Sequence, residues 1–152
     1  MSQENTSEPF NPVKIIHFGD LHVWDIGWDY DPNPKRILGL GNLLLRRRRK
    51  FPPWVAQELL GEISRQEADY VLFSGDLTTA SLKSEFDRAR ESLISIRDKW
   101  KDHFICIPGN HDRYTPRAGR ERRFETRFLG FPQDYPFMQR LSGNWNLVCF
   151  GC

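Results

Sequence analysis

Short apolar segments rich in β-branched residues alternate along the chain with longer stretches whose apolar residues recur at helical spacing. Three of the short segments predict strands, over residues 13–18, 69–74 and 103–107, and a fourth segment predicts a strand over 146–152. A helix is predicted between the first and second strands and another between the second and third. This order predicts right-handed crossovers and a parallel sheet with helices packed on it, which is an α/β fold.

The helical pattern is clearest over residues 82–100. Apolar side chains recur there at every third or fourth position, as a helix of 3.6 residues per turn requires: Leu82, Phe86, Ala89, Leu93, Ile96 and Trp100. Ser81 stands just before this stripe and is a favourable N-cap residue. An earlier helix is predicted to begin at the Pro52-Pro53 pair, which suits a first helical turn. Its apolar stripe comprises Val55, Leu59, Leu60 and Ile63.

At 152 residues the chain has a length that suits one domain with a sizeable core. Residues 1–12 are expected to form a disordered leader, residues 24–34 a long loop, and residues 38–50 a short helix. No run approaches the roughly 20 apolar residues that span a bilayer, and the polar N-terminus does not resemble a secretory signal. The odd number of cysteines, three, fits a reducing compartment, so we expect a cytoplasmic protein, with the inner membrane surface as the alternative.

Three motifs of acidic, amide and imidazole residues follow the first three predicted strands. They are Asp20-Leu21-His22, Gly75-Asp76-Leu77-Thr78 and Gly109-Asn110-His111-Asp112. In open α/β sheets, ligands bind beyond the carboxyl ends of the strands. Each motif alone is also compatible with an ordinary turn. Together, in this order and at these positions, they predict a divalent-metal site.

The residue types suit binding of hard cations and acid–base chemistry. In an extended backbone Asp20 and His22 would project to the same side and grip one ion. The Asp76 carboxylate could bridge two cations, and Asn110 offers a neutral carbonyl oxygen. An imidazole at His111 would face the substrate and could protonate a leaving oxygen.

This ordered set of motifs resembles the calcineurin-like metallophosphoesterase superfamily, and the variant here is similar to its bacterial branch, which includes class III cyclic-nucleotide phosphodiesterases. The resemblance implies that Asp20 and His22 bind a first metal, Asp76 bridges two metals, and Asn110 binds the second. It also implies that His111 is catalytic, contacting the phosphate and assisting the leaving group.

The resemblance further implies a fold and a reaction. The fold would be a four-layer α/β/β/α sandwich, of which this chain would form the first half. A metal-activated hydroxide would attack the phosphorus of a phosphodiester or phosphomonoester. The two divalent ions would be Mn, Fe or Zn, since oxygen and imidazole ligands admit all three.

The chain departs from the family pattern after the third motif. The pattern continues with another ligand histidine and a Gly-His-x-His motif, but the four histidines here are His17, His22, His103 and His111. His17 and His103 lie within or beside predicted strands and are interpreted as structural residues. We therefore expect residues 13–152 to be the N-terminal part of a truncated metallophosphoesterase domain, inactive or weakly active as this fragment.

Two basic zones offer alternative roles. The first runs from Lys35 to Lys50, with seven basic residues and no acid, and it ends in five consecutive basic residues from Arg46 to Lys50 after a leucine-rich stretch. The second has six arginines between positions 113 and 127. Positive zones beside a metal site suit an anionic substrate, although both are also compatible with ordinary solvated faces. The run from Arg46 to Lys50 could instead bind nucleic acid or an anionic membrane. The alternative function is accordingly a non-catalytic remnant that binds one of these partners.

Overall fold

A computed structural model of the chain describes residues 12–25 and 52–151. The predicted leader apart from Pro12, the loop beyond residue 25, the helix over 38–50 and the basic run at 46–50 therefore lie outside the described residues. Within the described part, no helix is long and apolar enough to cross a membrane.

A three-stranded parallel sheet carries the motifs. Its strands are β1 (Ile15–Phe18), β2 (Tyr70–Phe73) and β3 (Phe104–Cys106), and they lie side by side in chain order. Phe18 is in register with Phe73, and Phe73 with Cys106, so the three carboxyl ends finish level with one another. The predicted parallel sheet is confirmed, but each predicted strand was one or two residues too long at one or both ends.

The helix that precedes β2 begins where the prolines predicted. It is α1 (Pro53–Arg65), with Pro53 in its first turn. Its core face consists of Leu60 and Ile63, which are buried, whereas Val55 and Leu59 remain 46% and 41% exposed. The apolar stripe predicted for this helix is therefore buried at Leu60 and Ile63 and exposed at Val55 and Leu59.

The single helix predicted over residues 82–100 is divided in two. α2 (Lys83–Ser92) and α3 (Ile94–Trp100) meet at Leu93, whose ψ is 3°. The Ser92 hydroxyl donates to the carbonyl of Arg88 at 2.9 Å, a contact that bends helices because it competes with the backbone ladder. The apolar stripe nevertheless lies within the core across the break, with Phe86, Ala89, Leu93 and Ile96 each 0% exposed.

Ser81 does not cap α2, contrary to the sequence prediction. Its backbone has a positive φ of 57°, and its hydroxyl donates to the carbonyl of His111 at 2.8 Å. The side chain of Glu85 instead accepts hydrogen bonds from the backbone N–H groups of Leu82 at 3.0 Å and Ala80 at 2.9 Å. The first turn of α2 is thus capped from within the helix, and Ser81 is used to hold the third motif.

The last third of the described chain forms a small helical segment and a hairpin. α4 (Pro116–Arg120) is followed by a π-helical turn, Phe124–Leu129, whose Phe124 and Phe128 are buried against α2. β4 (Phe137–Arg140) and β5 (Asn146–Cys149) then pair antiparallel. The predicted fourth strand was too long at its end, and the sequence pattern did not predict its partner β4.

Candidate metal centre

The loops that leave β1 and β2 are joined by backbone hydrogen bonds beyond the ends of the strands. Asp20 N–H donates to the carbonyl of Gly75 at 3.0 Å, and His22 N–H donates to the carbonyl of Asp76 at 3.0 Å. Val23 N–H continues this pairing to Leu77 at 2.8 Å. The pairing places the first and second motifs beside each other without depending on side chains.

The second and third motifs cross at two glycines. A Cβ atom on Gly75 would lie 2.4 Å from the backbone nitrogen of Gly109, and one on Gly109 would lie 2.2 Å from Oδ1 of Asp76. Gly75 also has a φ of 101°, which L side chains rarely adopt. Glycine is therefore required at both positions for the Asp76 carboxylate to approach the third motif.

Three of the predicted metal ligands have backbone conformations that are uncommon for residues other than glycine. Asp20, His22 and Asp76 have φ values of 56°, 45° and 57°. Such left-handed conformations cost energy and concentrate at functional sites. The extended backbone assumed from the sequence for Asp20 and His22 was wrong, yet the left-handed turns still direct both side chains to one place.

One residue from each motif contributes to a compact group of potential ligands. One ligand atom each from His22, Asp76 and His111 lies within 4.8 Å of the other two. Nε2 of His22 is 3.9 Å from Oδ2 of Asp76 and 3.5 Å from Oδ1 of Asp20. The two imidazole rings are perpendicular, with centroids 5.0 Å apart. The three loops thus deliver both imidazole nitrogen and carboxylate oxygen to one point.

The His111 ring is held by its neighbours in a defined orientation. Nδ1 is 2.8 Å from the carbonyl oxygen of Thr79, and because a carbonyl only accepts, Nδ1 carries the hydrogen. The backbone N–H of His111 donates to Oδ1 of Asp76 at 3.0 Å. Its ring also stacks on Tyr114, with centroids 5.6 Å apart. Nε2 is therefore the ring nitrogen left to serve a cation or a substrate.

The other two predicted ligands lie at the margin of this group. The Asp20 side chain is 78% exposed, and its Oδ1 lies 3.5 Å from Nε2 of His22. Asn110 is exposed in the turn between Gly109 and His111. The structure therefore brings His22, Asp76 and His111 together closely, with Asp20 beside them and Asn110 on the adjoining loop.

Sequence reasoning missed the role of Asp112. This carboxylate is 0% exposed and accepts hydrogen bonds from the backbone N–H groups of Leu77 at 3.1 Å, Thr78 at 2.8 Å and Gly109 at 2.9 Å. It also accepts from the Thr78 hydroxyl at 3.0 Å. Asp112 therefore fastens the second motif to the third. The sequence held one signal for this role: Asp112 is an acidic residue directly after the predicted site residues, and it was given no ligand role.

Two histidines lie away from the centre. Nδ1 of His103 contacts the carbonyl of Asp69 at 2.8 Å, and its ring stacks on Tyr70, at the amino end of β2. His17 is exposed in the middle of β1. The chain thus supplies two imidazoles, those of His22 and His111, to the candidate centre.

The arginine-rich zone at positions 113–127 is an ion-pair network. Five of its six arginines pair with carboxylates: Arg113 with Glu125 at 2.8 Å, Arg117 and Arg123 with Glu121 at 2.7 and 2.8 Å, Arg122 with Asp134 at 3.0 Å, and Arg127 with Asp87 at 3.5 Å. Hydrogen bonds from Arg117 and Arg123 lower the pKa of Glu121 to about 2. The positive zone expected from the sequence is therefore largely matched by local negative charge.

The residues present fit a hard or borderline divalent cation. Carboxylate oxygen and imidazole nitrogen are the ligand types that Mn, Fe and Zn share. The fixed hydrogen on Nδ1 of His111 resembles the outer hydrogen bonds that orient histidine ligands in metal sites.

The chain is a member of the calcineurin-like phosphoesterase family, whose family model matches residues 13–151. This match covers the three motif loops and both sheets. No curated protein matches the chain significantly. The family acts on phosphoesters with divalent metals, which agrees with the ligand types gathered at the candidate centre.

Proposed function

We propose that the protein is a binuclear metal-dependent hydrolase of phosphodiesters or phosphomonoesters, of the bacterial branch that includes class III cyclic-nucleotide phosphodiesterases. One observation carries the proposal: ligand atoms from all three motif loops, on His22, Asp76 and His111, lie within 4.8 Å of one another. Family membership supports the reaction class.

In the proposed centre, Asp20 and His22 would hold a first cation, Asp76 would be shared by both cations, and Asn110 would contribute to the second. When bound, the cations would neutralise phosphate charge and make a water molecule more acidic. Thr79 holds the Nδ1 hydrogen of His111, so Nε2 is the ring atom that would pass a proton to the leaving oxygen. Because the family pattern includes three further histidines that this sequence lacks, we expect slow turnover.

The experiment is hydrolysis of bis-p-nitrophenyl phosphate by the purified chain with Mn²⁺. We expect Asp76→Asn to abolish the metal-dependent rate, because the shared carboxylate would be lost. The control is Asp102→Asn, which changes an exposed carboxylate just before β3. Hydrolysis that persists in Asp76→Asn would refute the proposal.

The geometry also supports a second assignment for His111, as a metal ligand rather than a general acid, since it belongs to the compact group. His111→Gln distinguishes the two roles. A general acid contributes about 10²- to 10⁴-fold in rate, and its loss leaves Mn²⁺ affinity unchanged and harms esters of poor leaving groups most. If His111 is a ligand, Mn²⁺ affinity falls and the loss of rate is similar for all leaving groups.

A further inference from the structure

A cavity of about 360 Å³ opens beside Asp20 and His22. Its described lining comes from the first motif loop, from the first two turns of α1 and from one face of α2. Most of the lining residues are apolar, and they include Trp24, Val55, Ala56 and Leu59. An apolar chamber thus shares a wall with the candidate metal centre.

The side of α1 that faces this cavity carries apolar side chains that are exposed. Val55 and Leu59 are four residues apart, so they lie on the same helical face. They are 46% and 41% exposed, while Ile63 and Leu60 are buried, the latter also at the edge of the cavity. Exposed apolar side chains that line a concave surface indicate ligand binding rather than core packing.

We infer that this cavity binds the organic group of the phosphoester substrate, and that this group is aryl or short alkyl. The inference rests on the proposed function, since it places the phosphate at the cation site. Asp20 and His22 line the cavity as well as the centre, so a substituent on a phosphate held there would lie against Val55 and Leu59.

Size and charge restrict the substituent further. Ligand pockets are commonly about 300–1,000 Å³, and this cavity is at the small end, which suits one or two rings better than two acyl chains. Arg88 also lines the cavity, but it pairs with Asp25 at 3.2 Å. Its charge is therefore already matched, which favours an uncharged substituent over one that carries further phosphates.

Two phosphinates test the inference because they are monoanions without an ester bond and differ only in their organic groups. With the Mn²⁺-loaded chain, we expect diphenylphosphinate to bind about tenfold more tightly than dimethylphosphinate, measured by isothermal titration calorimetry. Tenfold corresponds to about 1.4 kcal/mol and reflects burial of a ring against apolar side chains.

Leu59→Gln makes the cavity wall polar without altering a proposed ligand. We expect this variant to lose most of the preference for diphenylphosphinate while its affinity for dimethylphosphinate is unchanged. The matched control is Ile94→Gln, which replaces a 59% exposed side chain on α3 that is not among the lining residues. This control should retain the full preference, and circular dichroism should show both variants folded.

The outcomes separate the inference from the proposed function. Equal affinity for the two phosphinates, in a chain that hydrolyses bis-p-nitrophenyl phosphate, would overturn the cavity assignment and leave the hydrolase proposal standing. A chain that binds neither phosphinate and hydrolyses no ester would overturn both. If a diacyl phosphate in vesicles binds the Mn²⁺-loaded chain more tightly than diphenylphosphinate does, the assignment to aryl or short alkyl groups is overturned.

Discussion

The Asp112 carboxylate fastens two of the motif loops together while taking no proposed part in metal binding. Burial raises its pKa, and the hydrogen bonds from Gly109, Thr78 and Leu77 oppose that rise. Two donors converge on each of its oxygens, one pair from Leu77 and Gly109 and the other from Thr78. The position of Asp76 relative to His111 therefore depends on a side chain that binds only protein.

Asp112→Asn tests this dependence. The amide retains the shape of the side chain, but in either orientation its NH₂ group faces at least one backbone N–H donor, which leaves a buried donor unpaired. We expect a loss of about 3 kcal/mol in the free energy of unfolding, measured in urea. The exposed variant Asp98→Asn should change stability by less than about 0.5 kcal/mol. A similar small change in Asp112→Asn would show that the carboxylate is not essential to the loops.

Thr79 contacts both imidazole-bearing loops at once. Its hydroxyl donates to the carbonyl of His22 at 2.9 Å, and its own carbonyl receives Nδ1–H of His111 at 2.8 Å. Thr79→Val removes only the hydroxyl bond, so we expect Mn²⁺ affinity to fall about tenfold, as for other outer partners of metal ligands. Thr79→Ser keeps the hydroxyl, so its Mn²⁺ affinity should match that of the unmodified chain. Titration calorimetry would contradict this role if the two variants bind equally.

The sequence predicted the candidate ligands but not these supporting residues. Asp20, His22, Asp76 and Asn110 were predicted as ligands and His111 as a catalytic residue, because their types and their places after strands suit metal chemistry. Thr79 and Asp112 act through backbone groups, and Asp112 does so across 34 or 35 positions of sequence. Such contacts follow from how closely the loops pass each other, which residue types and spacing do not specify.

At the scale of single elements, α2 contains a buried acid in its first turn. Glu85 is 0% exposed and caps the helix through the N–H groups of Leu82 and Ala80. Burial raises its pKa from 4.5 to about 7, and the negative charge of Asp112 adds to this rise. Because the same loop contains Ser81, whose hydroxyl contacts the His111 carbonyl, this cap is linked to the candidate centre.

Glu85 should make stability decline with rising pH. Its pKa is higher in the folded state, so its contribution is complete below about pH 4.5 and is lost as pH rises toward about 7. The shift corresponds to about 3 kcal/mol. Glu85→Gln keeps an acceptor for the cap without ionising, and we expect it to flatten this part of the pH profile in urea unfolding. Glu91→Gln, on the exposed side of α2, is the control, and an unchanged slope in Glu85→Gln would refute the assignment.

The helical pattern predicted which residues of α2 and α3 are buried, but it did not predict the break at Leu93. Burial follows from the spacing of apolar residues, which continues through the break. The break coincides with a hydrogen bond from Ser92 to Arg88, and serine is compatible with a straight helix whenever its hydroxyl faces water. The sequence does not decide between these two side-chain positions.

At the scale of the whole molecule, the order of strands and helices determined where the motifs meet. Parallel strands finish at the same edge of a sheet, so three motifs that follow β1, β2 and β3 had to converge. The β4–β5 hairpin was less predictable. β4 has the sequence Phe-Met-Gln-Arg, without a β-branched residue, and it gains its strand conformation from pairing with β5.

Convergence of the three loops predicts that a cation stabilises the whole fold, because the ligands are close together only in the folded chain. Mn²⁺ at 100 times its dissociation constant should add about 2.7 kcal/mol, which is a rise of about 5–10 °C in Tm for a chain of this size. We expect His22→Gln to lose this rise in differential scanning calorimetry.

The control, His103→Gln, should keep the rise in Tm, since that ring contacts Asp69 and Tyr70 at the opposite end of the strands. An equal rise in both variants would place the bound ion elsewhere, and no rise in the unmodified chain would show that the gathered side chains do not hold Mn²⁺.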